Sequence, residues 1–289
     1  MTSDFYKYHA LGNDYIVIDP NKSSLALTED NIRLVCHRNF GVGSDGILYG
    51  PLQENGRMRL RILNPDGSEA EKSGNGIRIF SRYLVEAGYV KNKEFTLVTA
   101  GGTVAVEVLD EAASLIKVDM GAASFSSVNL PAGGPPREIL GEKLTIGAVD
   151  YAVNCVSMGN PHCVIMLDDI SRETAEQLGP LVENHPLFPR RTNVQFLKVV
   201  DRANIRIEIW ERGAGYTLAS GSSSCAAASV THRLGLTGPA VKVHMPGGVI
   251  DIDIRPDGHV FMTGSVTGVM SGLFAADFRR QLGLGEATH

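Results

Sequence analysis

Apolar and polar residues alternate over residues 57–63 (RMRLRIL) and again over 204–210 (NIRIEIW), which is the pattern of a strand with one buried face. Shorter apolar, β-branched runs predict further strands at 94–100, 103–108, 115–120, 194–200, 241–245 and 249–254. Each alternating run leads through a glycine-rich turn into a segment with helical spacing. The first such helix is predicted over 73–88, with Ile77, Phe80, Tyr83, Leu84 and Ala87 on one face. The second is predicted over 222–234, rich in alanine and stopped by Gly235. Two more helices are expected at 28–37, where Thr28 is suited to cap, and at 171–183. No apolar stretch approaches the ~18–20 residues that span a bilayer.

The pattern repeats along the chain. HALGNDYIVI at 9–18 aligns with VSMGNPHCVI at 156–165, so that Gly12 meets Gly159 and Asn13 meets Asn160, 147 positions apart. SGNG at 73–76 and SGSS at 220–223 share the same offset, which also sets Asn64 opposite Glu211 and Pro65 opposite Arg212. Two matches at one offset, in the same order, indicate duplication. The expected organisation is a first half over residues 1–121 and a second over 122–267, with a tail at 268–289 returning to the first half.

Composition narrows the function classes. Of 289 residues, 20% are charged and 43% hydrophobic, as in folded globular chains. The net charge is −5 with no long run of one sign, so neither a nucleic-acid stripe nor a polybasic membrane patch is present. The opening MTSDFYKYHA lacks a signal-peptide core, and four cysteines without C-x-x-C spacing do not make a disulfide framework. These features predict a cytoplasmic, reduced protein. The 32 glycines gather in clusters (GNDY, GVGSDG, NPDGS, SGNG, MGNPH, RGAGY, SGSSS) between apolar runs, as tight turns require.

Candidate chemistry sits at the repeated turns. A helix start offers unpaired backbone N–H groups and a positive dipole end to an anion. Gly74-Asn75-Gly76 and Gly221-Ser222-Ser223 are two such starts related by the repeat. Ser73 and Ser220 precede them. They suit helix capping, the commoner role of serine there, and equally a pair of groups flanking one reacting atom in an isomerase. Nucleotide-binding loops and zinc or C-x-x-C spacings are absent, and the eight histidines lack ligand spacing. His162 reads as a satisfied turn histidine or a cleft residue. Arg212 reads as a carboxylate fork or a surface ion pair.

Taken together, HALGNDYIVID, CHRNFGVGSDG, NPDGSEAEKSGNG, MGNPHCV, FPRRTNVQF and ERGAGYTLASGSSSC resemble the diaminopimelate epimerase family over nearly the whole chain, in family order. The resemblance implies an α/β (α+β) fold of two pseudo-symmetric strand-rich barrel domains, each around a central helix. It also implies a homodimer with a small amino-acid substrate, lysine and peptidoglycan precursor synthesis, no pyridoxal phosphate or other cofactor, and no metal. Substrate-holding positions carried over by that likeness are Asn13, Asn64, Asn160, Asn193, Glu211 and Arg212. Gly74, Asn75, Gly221 and Ser222 fall at the helix starts that hold the carboxylate of the reacting carbon. The family pattern has cysteines, a thiolate base and a thiol acid, where this chain has Ser73 and Ser220. Tyr216 stands where a glutamate is common, and Lys72 and Leu218 also depart from the pattern; Cys225 matches a family cysteine read as structural. The expected functions are diaminopimelate epimerisation, a related racemase or dehydratase, or ligand binding without turnover.

Overall fold

The structure, a computed structural model, describes residues 3–285; the outermost residues of the first half and of the tail, 1–2 and 286–289, lie outside the described residues. The chain forms two compact units, one running to Val118 and resuming at Ser265, the other spanning Asp119–Gly264.

The first unit contains β1 (Phe5–Ala10), β2 (Asn13–Ile18), α1 (Glu29–Cys36), β3 (Ile47–Glu54), β4 (Arg57–Leu63), β5 (Glu69–Ala70), α2 (Gly74–Glu86), β6 (Glu94–Thr99), β7 (Gly102–Val108) and β8, which begins at Leu115 and ends at Ala122. Strands β2 and β3 pair in parallel, as do β4 and β6; β1–β2, β3–β4, β4–β5 and β6–β7 are antiparallel. The second unit contains β9 (Glu142–Ile146), β10 (Val149–Ser157), β11 (Pro161–Met166), α3 (Arg172–Glu183), β12 (Asn193–Asp201), β13 (Asn204–Glu211), β14 (Gly215–Thr217), α4 (Gly221–Arg233), β15 (Ala240–Met245), β16 (Gly248–Ile254) and β17 (His259–Ser265). Here β11–β12 and β13–β15 are parallel, while β10–β11, β12–β13, β13–β14 and β15–β16 are antiparallel. Element order and strand direction therefore repeat from one unit to the other. Finally β18 (Thr267–Gly272) pairs with β1, and α5 (Ala276–Gln281) follows it.

The repeat extends to backbone conformation. Gly12 and Gly159 have φ of 88° and 92°, a region where a side chain would be strained, so both turns require glycine. Gly88 and Gly235, again 147 apart, end α2 and α4 with φ of 77° and 72°.

Within each unit the sheet packs one face on a central helix and the other on an outer helix. The second unit's outer core joins Cys155, Cys163, Val194 and Phe196 to Ala175 and Val182 of α3; the first unit's joins Ile16, Ile18 and Leu63 to Ile32 and Val35 of α1. Strands caught between two layers are apolar without alternation, as along Tyr15–Ile18 and Cys163–Ile165, all buried. The central helices differ in bulk. Helix α2 buries Ile77, Arg78, Ile79, Phe80, Ser81, Tyr83 and Leu84, whereas α4 buries Ser224, Cys225, Ala226, Ala227, Ala228, Val230 and Thr231 at the matching positions. Two of the hydroxyls in α4 are returned to the chain's own backbone: Ser224 donates to Ser220 O (2.8 Å) and Thr231 to Ala227 O (3.2 Å).

Helix α3 seats on β13 through Gly179. A Cβ there would lie 2.4 Å from Cγ of Trp210, and the indole is pinned because its N–H donates to Glu183 (2.7 Å). Gly179→Ala is expected to destabilise the protein by about 1–3 kcal/mol through overpacking. Urea denaturation checks this, with unchanged stability showing that α3 shifts freely.

Candidate active site

Ser73 and Ser220 adopt nearly the same backbone conformation, φ/ψ of −136°/116° and −144°/126°. Each hydroxyl accepts the amide three residues on, Ser73 from Gly76 at 3.0 Å and Ser220 from Ser223 at 3.4 Å. Both serines therefore cap, each settling one of the first-turn amides. Ser73 is half-buried and Ser220 buried. The Tyr15 hydroxyl lies 3.3 Å from Oγ of Ser73. At Gly76 an added Cβ would meet Leu48 Cδ2 at 2.9 Å, so this turn stays glycine. At the equivalent position Ser223, fully buried, accepts a hydrogen bond assigned to Gln195 Nε2 at 3.0 Å.

In the first unit, the amides of Asn75 and Asn13 are joined by a chain of bonds with a fixed direction. Arg78, fully buried and able only to donate, donates to Asn75 Oδ1 at 2.8 Å. Asn75 Nδ2 then donates to Asn13 Oδ1 (3.0 Å), and Asn13 Nδ2 donates to Asp45 (2.8 Å), which can only accept. Asp45 is held in turn by Arg38 at 2.7 Å, and Arg38 also reaches Asp14 at 2.9 Å. Burial would raise the Asp14 carboxyl, but hydrogen bonds and charge from Arg38 and Lys7 outweigh it and hold the group below its ordinary range. Gly74 is tied in through its carbonyl, which accepts from Arg78 at 3.4 Å. Asn64 sits apart in this network, in the turn after β4, where its Nδ2 donates to Ser68 Oγ at 2.9 Å. Arg78 and Asp45 were not singled out from sequence; the available signal was an arginine among the buried positions of α2.

In the second unit, Asn160, Asn193 and the turn after β13 are knit together. Asn193 Nδ2 donates to Pro161 O (2.9 Å), and its Oδ1 accepts the Arg212 amide (3.0 Å). The Arg212 side chain is exposed and donates to Arg190 O at 3.3 Å. Glu211 ends β13, half-buried, opposite Gly215. Glu183 braces the same turn by accepting from the Gly213 amide (2.9 Å) and Arg191 (3.0 Å). Gly221 is buried and Ser222 half-buried in the first turn of α4. His162 lies within β11, not in the preceding turn, with Nε2 2.9 Å from Asn160 Oδ1. Its ring is fully buried, and burial pushes its pKa down to about 3, helped by the charge of Arg212 and opposed by Gln195. Tyr216 points to the outer side, donating to Glu208 at 2.8 Å; burial and that bond push its pKa up to about 12.

The sequence profile described as diaminopimelate epimerase matches residues 5–126 and 154–269. The chain is 56% identical over 269 residues to diaminopimelate epimerase 2 of Nostoc sp., covering 93% of this chain and 94% of that one. The chain belongs to the diaminopimelate epimerase family. The diaminopimelate epimerase of Moorella thermoacetica is 40% identical over 94% of this chain and 99% of its own. The fold is also that of a solved probable proline racemase from Agrobacterium radiobacter K84, with a TM-score of 0.69 at 16% identity, covering 94% of this chain and 93% of that one. This confirms the mixed α/β, strand-rich class expected from sequence. Among the described residues, no group of three or more His, Cys, Asp or Glu could hold a metal ion, and no helix is long and apolar enough to cross a membrane.

The buried imidazole makes stability depend on pH. Between about pH 6.5 and about pH 3 the unfolded chain protonates His162 while the folded chain does not. Its contribution is therefore complete above that window and lost on acidification, at up to ~1.4 kcal/mol per pH unit. Denaturation curves of wild type and His162→Gln across this range should show the wild type losing stability faster as pH falls. Parallel curves would contradict a neutral buried ring.

Proposed function

We propose that this protein is a cytoplasmic, cofactor-independent isomerase of the epimerase type. It takes diaminopimelate or a close amino-acid relative, with Ser73 and Ser220 at the two acid–base positions. The observation that carries the reading is the matched pair of capped helix starts, equal in conformation, in hydrogen bonding and in spacing from Asn13 and Asn160. Each start supplies backbone N–H groups and a positive dipole end suited to a carboxylate. In this reading Gly74, Asn75, Gly221 and Ser222 hold the carboxylate at the reacting carbon, while Asn13, Asn64, Asn160, Asn193, Glu211 and Arg212 hold the remaining amino and carboxylate groups. A homodimer belongs to the same reading, and β18, which exposes Val269 and Met270, offers it an apolar surface.

The chemistry asks for one group to take the α-proton from one face and another to return a proton from the opposite face. A thiol with a pKa near ~8.5, lowered by a helix start, ionises at neutral pH. A serine hydroxyl needs a neighbouring base. Among the described residues neither Ser73 Oγ nor Ser220 Oγ is hydrogen-bonded to a carboxylate or an imidazole. That observation favours a second reading, in which ligand binding is retained and turnover is slow.

Solvent-deuterium incorporation into LL- and meso-diaminopimelate tests the site. Ser73→Cys combined with Ser220→Cys should raise exchange and epimerisation together with little change in binding, and each single change should help much less. Fast epimerisation by the unmodified protein would overturn the assignment of these two serines. Calorimetry tests recognition separately: Arg212→Ala should weaken diaminopimelate binding by about 1.5–3 kcal/mol. Equal affinity would remove Arg212 from the site.

A further inference from the structure

Two buried acceptors are left unpaired within reach of each other in the second unit. His162 Nδ1 and Gln195 Oε1 have no hydrogen-bond partner as oriented, although His162 pairs with Asn193 in the parallel β11–β12 ladder and Gln195, two residues on, is its diagonal neighbour on the same face. Leaving either unpaired is costly in a buried setting. The two ends of a carboxamide are told apart only by their hydrogen bonds, as are the two tautomers of a neutral ring.

Two arrangements satisfy both atoms. In the first, the Gln195 carboxamide is turned over, so that its Nε2 donates to His162 Nδ1. Its Oε1 then accepts from the Ser223 hydroxyl, and the ring donates from Nε2 to Asn160 Oδ1. In the second, the ring carries its proton on Nδ1 and donates to Gln195 Oε1, while Asn160 is turned over and donates to Nε2. The second leaves the proton of the Ser223 hydroxyl, on a fully buried side chain, with no acceptor among the described residues. The first uses that proton and keeps the 2.9 Å contact of the ring with Asn160 Oδ1.

We propose that His162 is a positioning residue in a directed chain, Ser223 to Gln195 to His162 to Asn160, which turns the amide N–H groups of Asn160 outward as donors to an acceptor on the ligand. This rests on the reading of Asn160 as a substrate-holding residue. The chain starts in the first turn of α4 and ends at Asn160, so it links the helix start to the polar group 147 residues beyond Asn13. It favours a carboxylate oxygen over an ammonium at Asn160, because the donor side faces the ligand and the carbonyl is turned toward the ring.

The wild-type protein tests the direction without any substitution. Two-bond ¹H–¹⁵N correlation should show His162 protonated at Nε2, with a lone-pair nitrogen at Nδ1. The opposite tautomer overturns the proposal. Calorimetry with diaminopimelate tests the consequence. His162→Phe, of similar bulk, should weaken binding roughly 10-fold by freeing Asn160 to turn, and His162→Gln, which still carries a donor, should recover most of it. In an Asn160→Ala background His162→Phe should have no further effect; independent, additive losses would overturn the proposal. If the wild type does not bind diaminopimelate at all, the substrate reading fails, while the ring spectrum still decides the direction of the chain.

Discussion

The first amides of a helix have no partner inside that helix, and in this protein two helices begin where those amides are buried within a sheet. Most of the local structure follows from that constraint. A capping hydroxyl settles one amide at each start, Gly76 lets the turn approach Leu48, and Ser223 brings a second hydroxyl against Gln195. The other first-turn amides lie at the positive end of each helix dipole. A negatively charged group that reaches them completes each helix, so binding and local stability are the same interaction.

The hydrogen-bond chains that brace the two starts are built differently. In the first unit the chain runs from a guanidinium to a carboxylate, Arg78 to Asp45, so its polarity is set by formal charge. In the second it is neutral throughout, and its direction depends on which buried protons find acceptors. Charged groups fix their ends strongly but carry a desolvation penalty. A neutral chain is cheaper to bury and depends on every member being satisfied.

The legible part of this architecture was the part with local periodicity. Strands β4 and β13 alternate because one face meets solvent or polar groups, and α2 and α4 announce themselves by turn chemistry and by Gly88 and Gly235. Strands β2 and β11 are buried on both faces and show an apolar run without alternation, so they could be aligned as a repeat but not assigned a type. The candidate site was legible where it repeats, at Ser73, Ser220, Asn13 and Asn160, which share backbone conformation or turn position. Asp45 and Gln195 were not, because they meet Asn13 and Ser223 across long stretches of chain, and Arg78 was not, because its bonds to Gly74 and Asn75 follow ordinary helical spacing. His162 was read as a turn residue because Gly159-Asn160-Pro161 precedes it, and its strand is formed by pairing with Val156 and Asn193.

The unequal bulk of the two central helices bears on how a duplicated gene ages. Phe80 corresponds to Ala227, Ile79 to Ala226 and Tyr83 to Val230, all packed to the same full burial. At equal burial the surroundings of α4 must therefore fill the space that larger side chains of α2 occupy in the first unit. Recombination between the halves would preserve every turn and strand direction yet exchange helices of the wrong diameter, leaving voids in one unit and clashes in the other. Backbone symmetry persists, but the two central helices have become non-interchangeable parts.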